Sequence, residues 1–186
     1  MTKSVSNIFG GDAKVKVMRL FIFNPDSVYQ AKEIIRRTKE NSRIVRKRIN
    51  ELFNAGLLKK RASGFMLNKA YPYLPALENF LIDAGPVTDK ELLKKLSRAG
   101  TIKLLLVSGL FLHNPESRVD LLVVGDHMKK AKLVNAISNV EAELGREIRY
   151  ATFETADFNY RLGMYDKLIR DILDFDHRKI VNKLGV

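Results

Sequence analysis

The chain has 186 residues, 46% of them hydrophobic and 29% charged, with no cysteine. That balance suits a folded protein of one or two domains. It excludes disulfide staples, thiolate zinc sites and cysteine nucleophiles, and no apolar run reaches the ~18 residues a membrane span needs.

The formal net charge is +12, and it is unevenly spread: residues 1–83 hold 16 basic and 7 acidic side chains, whereas residues 84–186 hold 17 and 14. Electrostatically, the first segment is a polyanion binder and the second a near-neutral unit with a different task. The first four residues, Met1-Thr2-Lys3-Ser4, lack the apolar core of a signal peptide. With the absence of cysteine, this sets a cytoplasmic location as the expectation.

In chain order, residues 12–23 read as a helix with Val15, Met18 and Ile22 on one side and Asp12 as N-cap. Pro25 enforces a turn. Residues 27–38 read as a second helix, with Ala31, Ile34 and Ile35 inward and Lys32, Arg36, Arg37 and Lys39 outward. A third helix over 43–55, capped by Ser42, buries Val45, Ile49, Leu52 and Phe53 and stops at Gly56. Residues 57–61 and 65–68 form two short strands around the Ala62-Ser63-Gly64 turn. Three helices and a hairpin make the order of a winged helix-turn-helix.

Residues 70–90, broken by Pro72, Pro75 and Pro86, form a connector with a helix over 76–83. Residues 89–98 are a further amphipathic helix. Beyond it the pattern alternates: strands over 102–107, 119–124 and 147–153, a helix over 129–144 and a long helix over 156–175. This predicts an α/β (α+β) chain with one domain over 1–83 and a second over 84–186.

The third helix carries its charge opposite its apolar stripe. Arg43, Lys47 and Asn50 follow at spacings of four and three, and Arg46 stands four before Asn50. Arginine donates two bonds to guanine, asparagine pairs with adenine, and lysine reaches phosphate, so this face suits a major groove. Lys59, Lys60 and Arg61 lie on the hairpin, where a wing meets the sugar-phosphate backbone. Arg36 and Arg37 can clamp a flanking phosphate, and Ser42 stands at the helix entrance.

Residues 12–70 resemble the winged-helix domains of small bacterial and archaeal transcriptional regulators. The resemblance rests on the helix order, on Arg43-Ile44-Val45-Arg46-Lys47-Arg48-Ile49, and on the exit Leu52-Phe53-Asn54-Ala55-Gly56-Leu57-Leu58. It implies double-stranded DNA as partner and a homodimer, because two recognition helices about 34–36 Å apart match one turn of duplex.

In the second half, Leu104 to Phe111 reads strand then Ser108-Gly109 turn, and Arg118-Val119-Asp120-Leu121-Leu122-Val123-Val124-Gly125 reads as the next strand. Residues 88–175 thereby resemble the minimal nucleotidyltransferase fold of the polymerase-beta type. In that family a Gly-Ser turn holds nucleotide phosphates, and an Asp-x-Asp strand with a later carboxylate holds two divalent metals. Two such ions about 3.5–4 Å apart require several carboxylate oxygens.

Here the first aspartate position holds Arg118, only Asp120 remains, the turn runs Ser-Gly, and the later strand offers Glu147 with Arg149 two residues on. At about 4 Å and an effective dielectric near 20, each unit-charge interaction is worth roughly 4 kcal/mol. Losing one attraction and adding one repulsion defeats metal binding. The expectation is therefore a vestigial nucleotide site at Ser108, Gly109, Arg118 and Asp120, with no catalytic residues, metal or cofactor.

His113, His127 and His177 lack metal-ligand spacing. Asp171, Asp174 and Asp176 lack the glycine and glutamate of a calcium loop. The leading reading is a DNA-binding regulator whose second domain dimerises or binds a ligand or partner. The alternatives are an active nucleotidyltransferase acting on protein or RNA, and an antitoxin-like module bound to another protein.

Overall fold

The computed structural model describes residues 2–85, 87–112, 114 and 116–186, with side chains from residue 5 onward. The chain is a mixed α+β protein. It divides into two compact units, Met1–Thr88 with Asn139–Glu147, and Asp89–Ser138 with Ile148–Val186. A division made in chain order alone leaves the 139–147 segment out of the first unit.

The first unit opens with α1 (Thr2–Ile8) and α2 (Asp12–Ile22), followed by α3 (Ala31–Thr38) and α4 (Ser42–Asn54). The β1 (Leu58–Arg61) and β2 (Gly64–Leu67) hairpin and α5 (Leu74–Asp83) complete it in chain order. Its core gathers Val17, Phe21, Ile34, Val45, Ile49, Leu57, Leu58, Leu67 and Leu81, each nearly inaccessible to solvent. The apolar spacings along α2, α3 and α4 place these residues on facing sides, and α2 packs against both α3 and α4.

Several local expectations require correction. Residues 27–30 are not helical: Tyr29 bridges to Phe65, each backbone N–H donating to the other's carbonyl at 2.9 Å. Asn41, not Ser42, caps α4, its side chain accepting from the backbone of Arg43 and Ile44. Asp12 begins α2 inside the helix, and Gly11 occupies its cap position. Phe53 is 41% exposed rather than core, its ring lying 6.3 Å from that of Phe65.

Gly64, at φ 147°, closes the hairpin; a Cβ there would collide with the Tyr29 carbonyl. The short turn between α3 and α4 runs through Lys39 in the left-handed region, with φ 53°. The second half of α7 (Lys130–Leu144) and the turn after it also belong to this unit. Asn24 holds that turn by donating to the Leu20 and Gly145 carbonyls, both at 2.7 Å.

The second unit begins with α6 (Asp89–Leu96), then β3 (Thr101–Val107), a one-turn 3₁₀ segment Gly109–Leu112 and β4 (Leu121–Asp126). After α7 it continues through β5 (Tyr150–Phe153), α8 (Thr155–Gly163), α9 (Lys167–Asp174) and β6 (Arg178–Asn182). The sheet order is β5-β4-β3-β6, with β3 antiparallel to both β4 and β6 and β4 parallel to β5. Its core contains Leu104, Leu106, Leu122, Val124, Phe158, Ile169 and Ile172.

The long helix expected over 156–175 is two helices. Asp166 caps α9 by accepting from Leu168 and Ile169, and Tyr165 stands in the left-handed region at φ 55°. Tyr160 and Phe175, within that span, are exposed. Strand β6 was not legible as such, and Tyr150 rather than Glu147 begins β5.

The Asn41 cap yields a sharp test. Asn41→Ala should lower stability by about 1 kcal/mol in urea denaturation, whereas Ser42→Ala should change it by less than about 0.5 kcal/mol. The reverse order would restore Ser42 as the cap.

Candidate nucleic-acid interface and the Asp120 loop

Charge pairing in the first unit is selective. Lys16 pairs with Glu40 at 2.6 Å, Arg48 and Lys14 converge on Glu51 at 2.8 and 3.3 Å, Arg37 holds Glu33 at 3.0 Å, and Lys69 meets Asp26. The paired Arg48 also donates to the Gly10 carbonyl at 2.7 Å. The arginine and lysine around Glu51 hold its carboxyl below the usual carboxylate range, so this pairing persists in mild acid.

A different set of cations remains unpaired. Arg43, Arg46 and Lys47 project from α4 into solvent with Ser42 and Asn50, and among the described residues no carboxylate pairs with these three. Val45, Ile49 and Leu52 are the buried residues of the helix, and they fix which side the cations occupy. Asn54 joins the exposed face one turn beyond Asn50.

On β1 only Leu58 is buried, and Lys59, Lys60 and Arg61 are exposed. Strand alternation sets Lys59 and Arg61 on one face of the hairpin and Lys60 on the other. Arg61 donates from Nε to Met66 Sδ at 3.0 Å. Arg36 is exposed, with a loose 3.9 Å ion pair to Glu33.

Arg37 does not join this surface. Its guanidinium lies over the Tyr29 ring at 5.2 Å and bridges Glu33 and Glu147. Sequence spacing could not reveal that, because Glu147 is 110 residues away.

Arg19, absent from the sequence expectations, is 2% exposed within the α2 face. Burial pushes its guanidinium down to about 10, against the opposing pull of Glu143. Its signal was an arginine inside an apolar helical stripe, which marks a buried cation only once the partner segment is known.

In the second unit, Asp120 precedes β4 and is 2% exposed. Its Oδ1 accepts from the Leu110 backbone at 2.8 Å and from Arg149 Nη2 at 3.1 Å. Its Oδ2 accepts from the Arg149 backbone at 2.8 Å and from Arg149 Nε at 3.2 Å. These four donors use the carboxylate's coordinating capacity. In turn, hydrogen bonding to Asp120 raises the Arg149 guanidinium above its ordinary range.

The neighbouring residues are equally committed. Ser108 donates to the Val119 carbonyl at 2.6 Å, and Ser117 donates to the same carbonyl at 2.7 Å. Gly109 is left-handed at φ 49°, and a Cβ there would strike Asp120 Oδ1. Arg118 pairs with Asp171 at 2.8 Å, so the arginine partner of Asp120 is Arg149 and not Arg118.

The structure thus brings Ser108, Gly109 and Asp120 together as a tightly bonded loop. Glu147 stands apart on Arg37 in the first unit. Among the described residues no group of three or more histidines and carboxylates is placed to hold a metal ion. His127 is an exposed loop residue, His177 lies 2.9 Å from the Phe175 carbonyl through Nδ1, and His113 lies outside the described residues. Also among the described residues, no helix is long and apolar enough to cross a membrane.

Asp120→Ala should cost about 3 kcal/mol of stability, because it strands two backbone donors and the Arg149 side chain. Thermal melts measure this, and added Mg²⁺ or EDTA should leave the wild-type midpoint unchanged. A midpoint raised by Mg²⁺ and lost in Asp120→Ala would instead make Asp120 a metal ligand.

No protein-family model matches this chain, and neither the curated proteins nor the solved structures contain a significant match to it.

Proposed function

We propose that this protein is a DNA-binding transcriptional regulator. Residues 1–83 act as a winged helix-turn-helix in which α4 enters the major groove. The second domain is a non-catalytic relative of the nucleotidyltransferase fold and serves dimerisation or the binding of a ligand or protein partner. The observation that carries this reading is the unpaired, exposed Arg43-Arg46-Lys47-Asn50 face of α4, in a unit where Lys14, Lys16, Arg37 and Arg48 are each paired with a carboxylate.

The element order supports the same reading. α3 and α4 are joined by the three residues 39–41, and the basic β1-β2 hairpin follows directly. A short turn between two helices and a trailing wing are the parts that duplex recognition uses. Arg43 and Asn50 then serve base edges, Lys47 and Arg46 serve bases or phosphates, and Lys59, Lys60 and Arg61 contact the backbone.

For the second domain, the support lies in Asp120. A catalytic carboxylate must offer oxygens to metal ions, and this one is buried with four donors already on it. No nucleotidyl transfer to protein or RNA should be detectable with labelled ATP, CTP, GTP or UTP and Mg²⁺ or Mn²⁺.

Titration of a labelled random-sequence duplex at several salt concentrations tests the DNA reading. The wild-type protein should bind with a steep inverse dependence on salt. Lys47→Ala should weaken binding and reduce the slope of log affinity against log salt by about 1, the loss of one phosphate contact. Arg161→Ala, which removes a cation already paired with Asp157 and Asp166, should change neither quantity. Unchanged affinity and slope in Lys47→Ala, Arg46→Ala and Arg43→Ala together would overturn the assignment.

A further inference from the structure

The first unit contains an open cleft of about 430 Å³, lined by Phe23, Asn24, Ser27, Tyr29, Arg37, Arg146 and Glu147. Two guanidinium groups border it, each laid over an aromatic ring: Arg37 on Tyr29 at 5.2 Å and Arg146 on Phe23 at 5.0 Å. A ring beside each cation restricts it and reduces the entropy lost when it binds a ligand.

Both arginines are also held by a hydrogen bond from Nε. Arg37 donates from Nε to Glu33 at 3.0 Å, and Arg146 donates from Nε to the Phe23 carbonyl at 3.2 Å. The turn before Arg146 is fixed by the Asn24 bond to the Gly145 carbonyl. Gly145 sits at φ 74° against the Arg19 backbone, with no room for a side chain. The terminal amino groups of Arg146 have no partner among the described residues.

One carboxylate occupies the cleft. Glu147 accepts from Arg37 Nη1 at 2.9 Å, yet its side chain is 74% exposed. Such an ion pair holds little energy and opens readily. When it opens, Arg37 keeps its position through Glu33 and Tyr29.

We propose that this cleft binds a small free oxyanion, a phosphate or carboxylate group, between Arg37 and Arg146, with Glu147 as the internal group that the ligand displaces. Planar guanidinium forks match oxyanions by paired charge-assisted bonds. The chemistry of the occupant is already displayed by the Glu147 carboxylate on Arg37. This assignment stands apart from the DNA reading and does not depend on it.

The test is titration of the full chain with inorganic phosphate, followed by calorimetry and by thermal melts against sodium chloride of equal ionic strength. Phosphate should bind and raise the melting midpoint beyond the chloride control. Arg146→Gln should weaken binding by roughly tenfold or more. Glu147→Gln, a change at an exposed side chain that leaves the fold intact, should tighten binding several-fold by removing the competing carboxylate.

No phosphate effect beyond chloride would overturn the proposal, as would equal affinity in Arg146→Gln or weaker affinity in Glu147→Gln. Duplex DNA separates the two sources of phosphate. Loss of DNA affinity in Arg146→Gln comparable to that in Lys47→Ala would assign the cleft to a backbone phosphate and overturn the free-anion assignment.

Discussion

The constraint on which the rest of this molecule depends is how its carboxylates are distributed among its cations. Glu33, Glu40 and Glu51 sit beside Arg37, Lys16 and Arg48, cations that lie on or near the packed sides of their helices. Each pair is partly shielded from solvent, where an ion pair holds better than at an open surface. These three carboxylates are therefore consumed within the unit. The outer face of α4 and β1 carry exposed positive charge with no carboxylate paired to it among the described residues.

The same accounting explains the Asp120 loop. A carboxylate buried to 2% exposure is costly unless its oxygens are saturated. Arg149 and the backbone of residues 110 and 149 saturate them. Arg149 is thus the cation that makes the buried aspartate tolerable. Gly109 belongs to this arrangement for a steric reason, since only a residue without Cβ fits against that carboxylate. Ser108 and Ser117 share one backbone carbonyl and tie the turn to the residue preceding Asp120.

Periodicity made much of the fold legible. The four-three spacing of Val45, Ile49 and Leu52 identified both the buried stripe of α4 and its exposed cationic side, and Gly64 with its neighbours marked the hairpin. Legibility failed where partners are distant in sequence. The Tyr29 bridge to Phe65 extends residues that local pattern reads as helix. The Asp166 cap splits a continuous apolar pattern into α8 and α9. Arg37 read as a solvent cation because Glu147 and the 139–147 segment are invisible to local spacing. Asp120 was legible as an acidic residue at the start of a strand pattern, but its partner, Arg149, stands 29 residues on at the entry to the neighbouring parallel strand β5, beyond the reach of local spacing.

The most direct examination of the central claim is a map of side-chain and amide resonances during titration with short duplex DNA. The account predicts that shifts concentrate on residues 42–54 of α4 and on β1, with Asp120 and Leu110 undisturbed. Shifts centred on the Asp120 loop, with Arg43, Lys47 and Asn50 unmoved at saturating DNA, would contradict it.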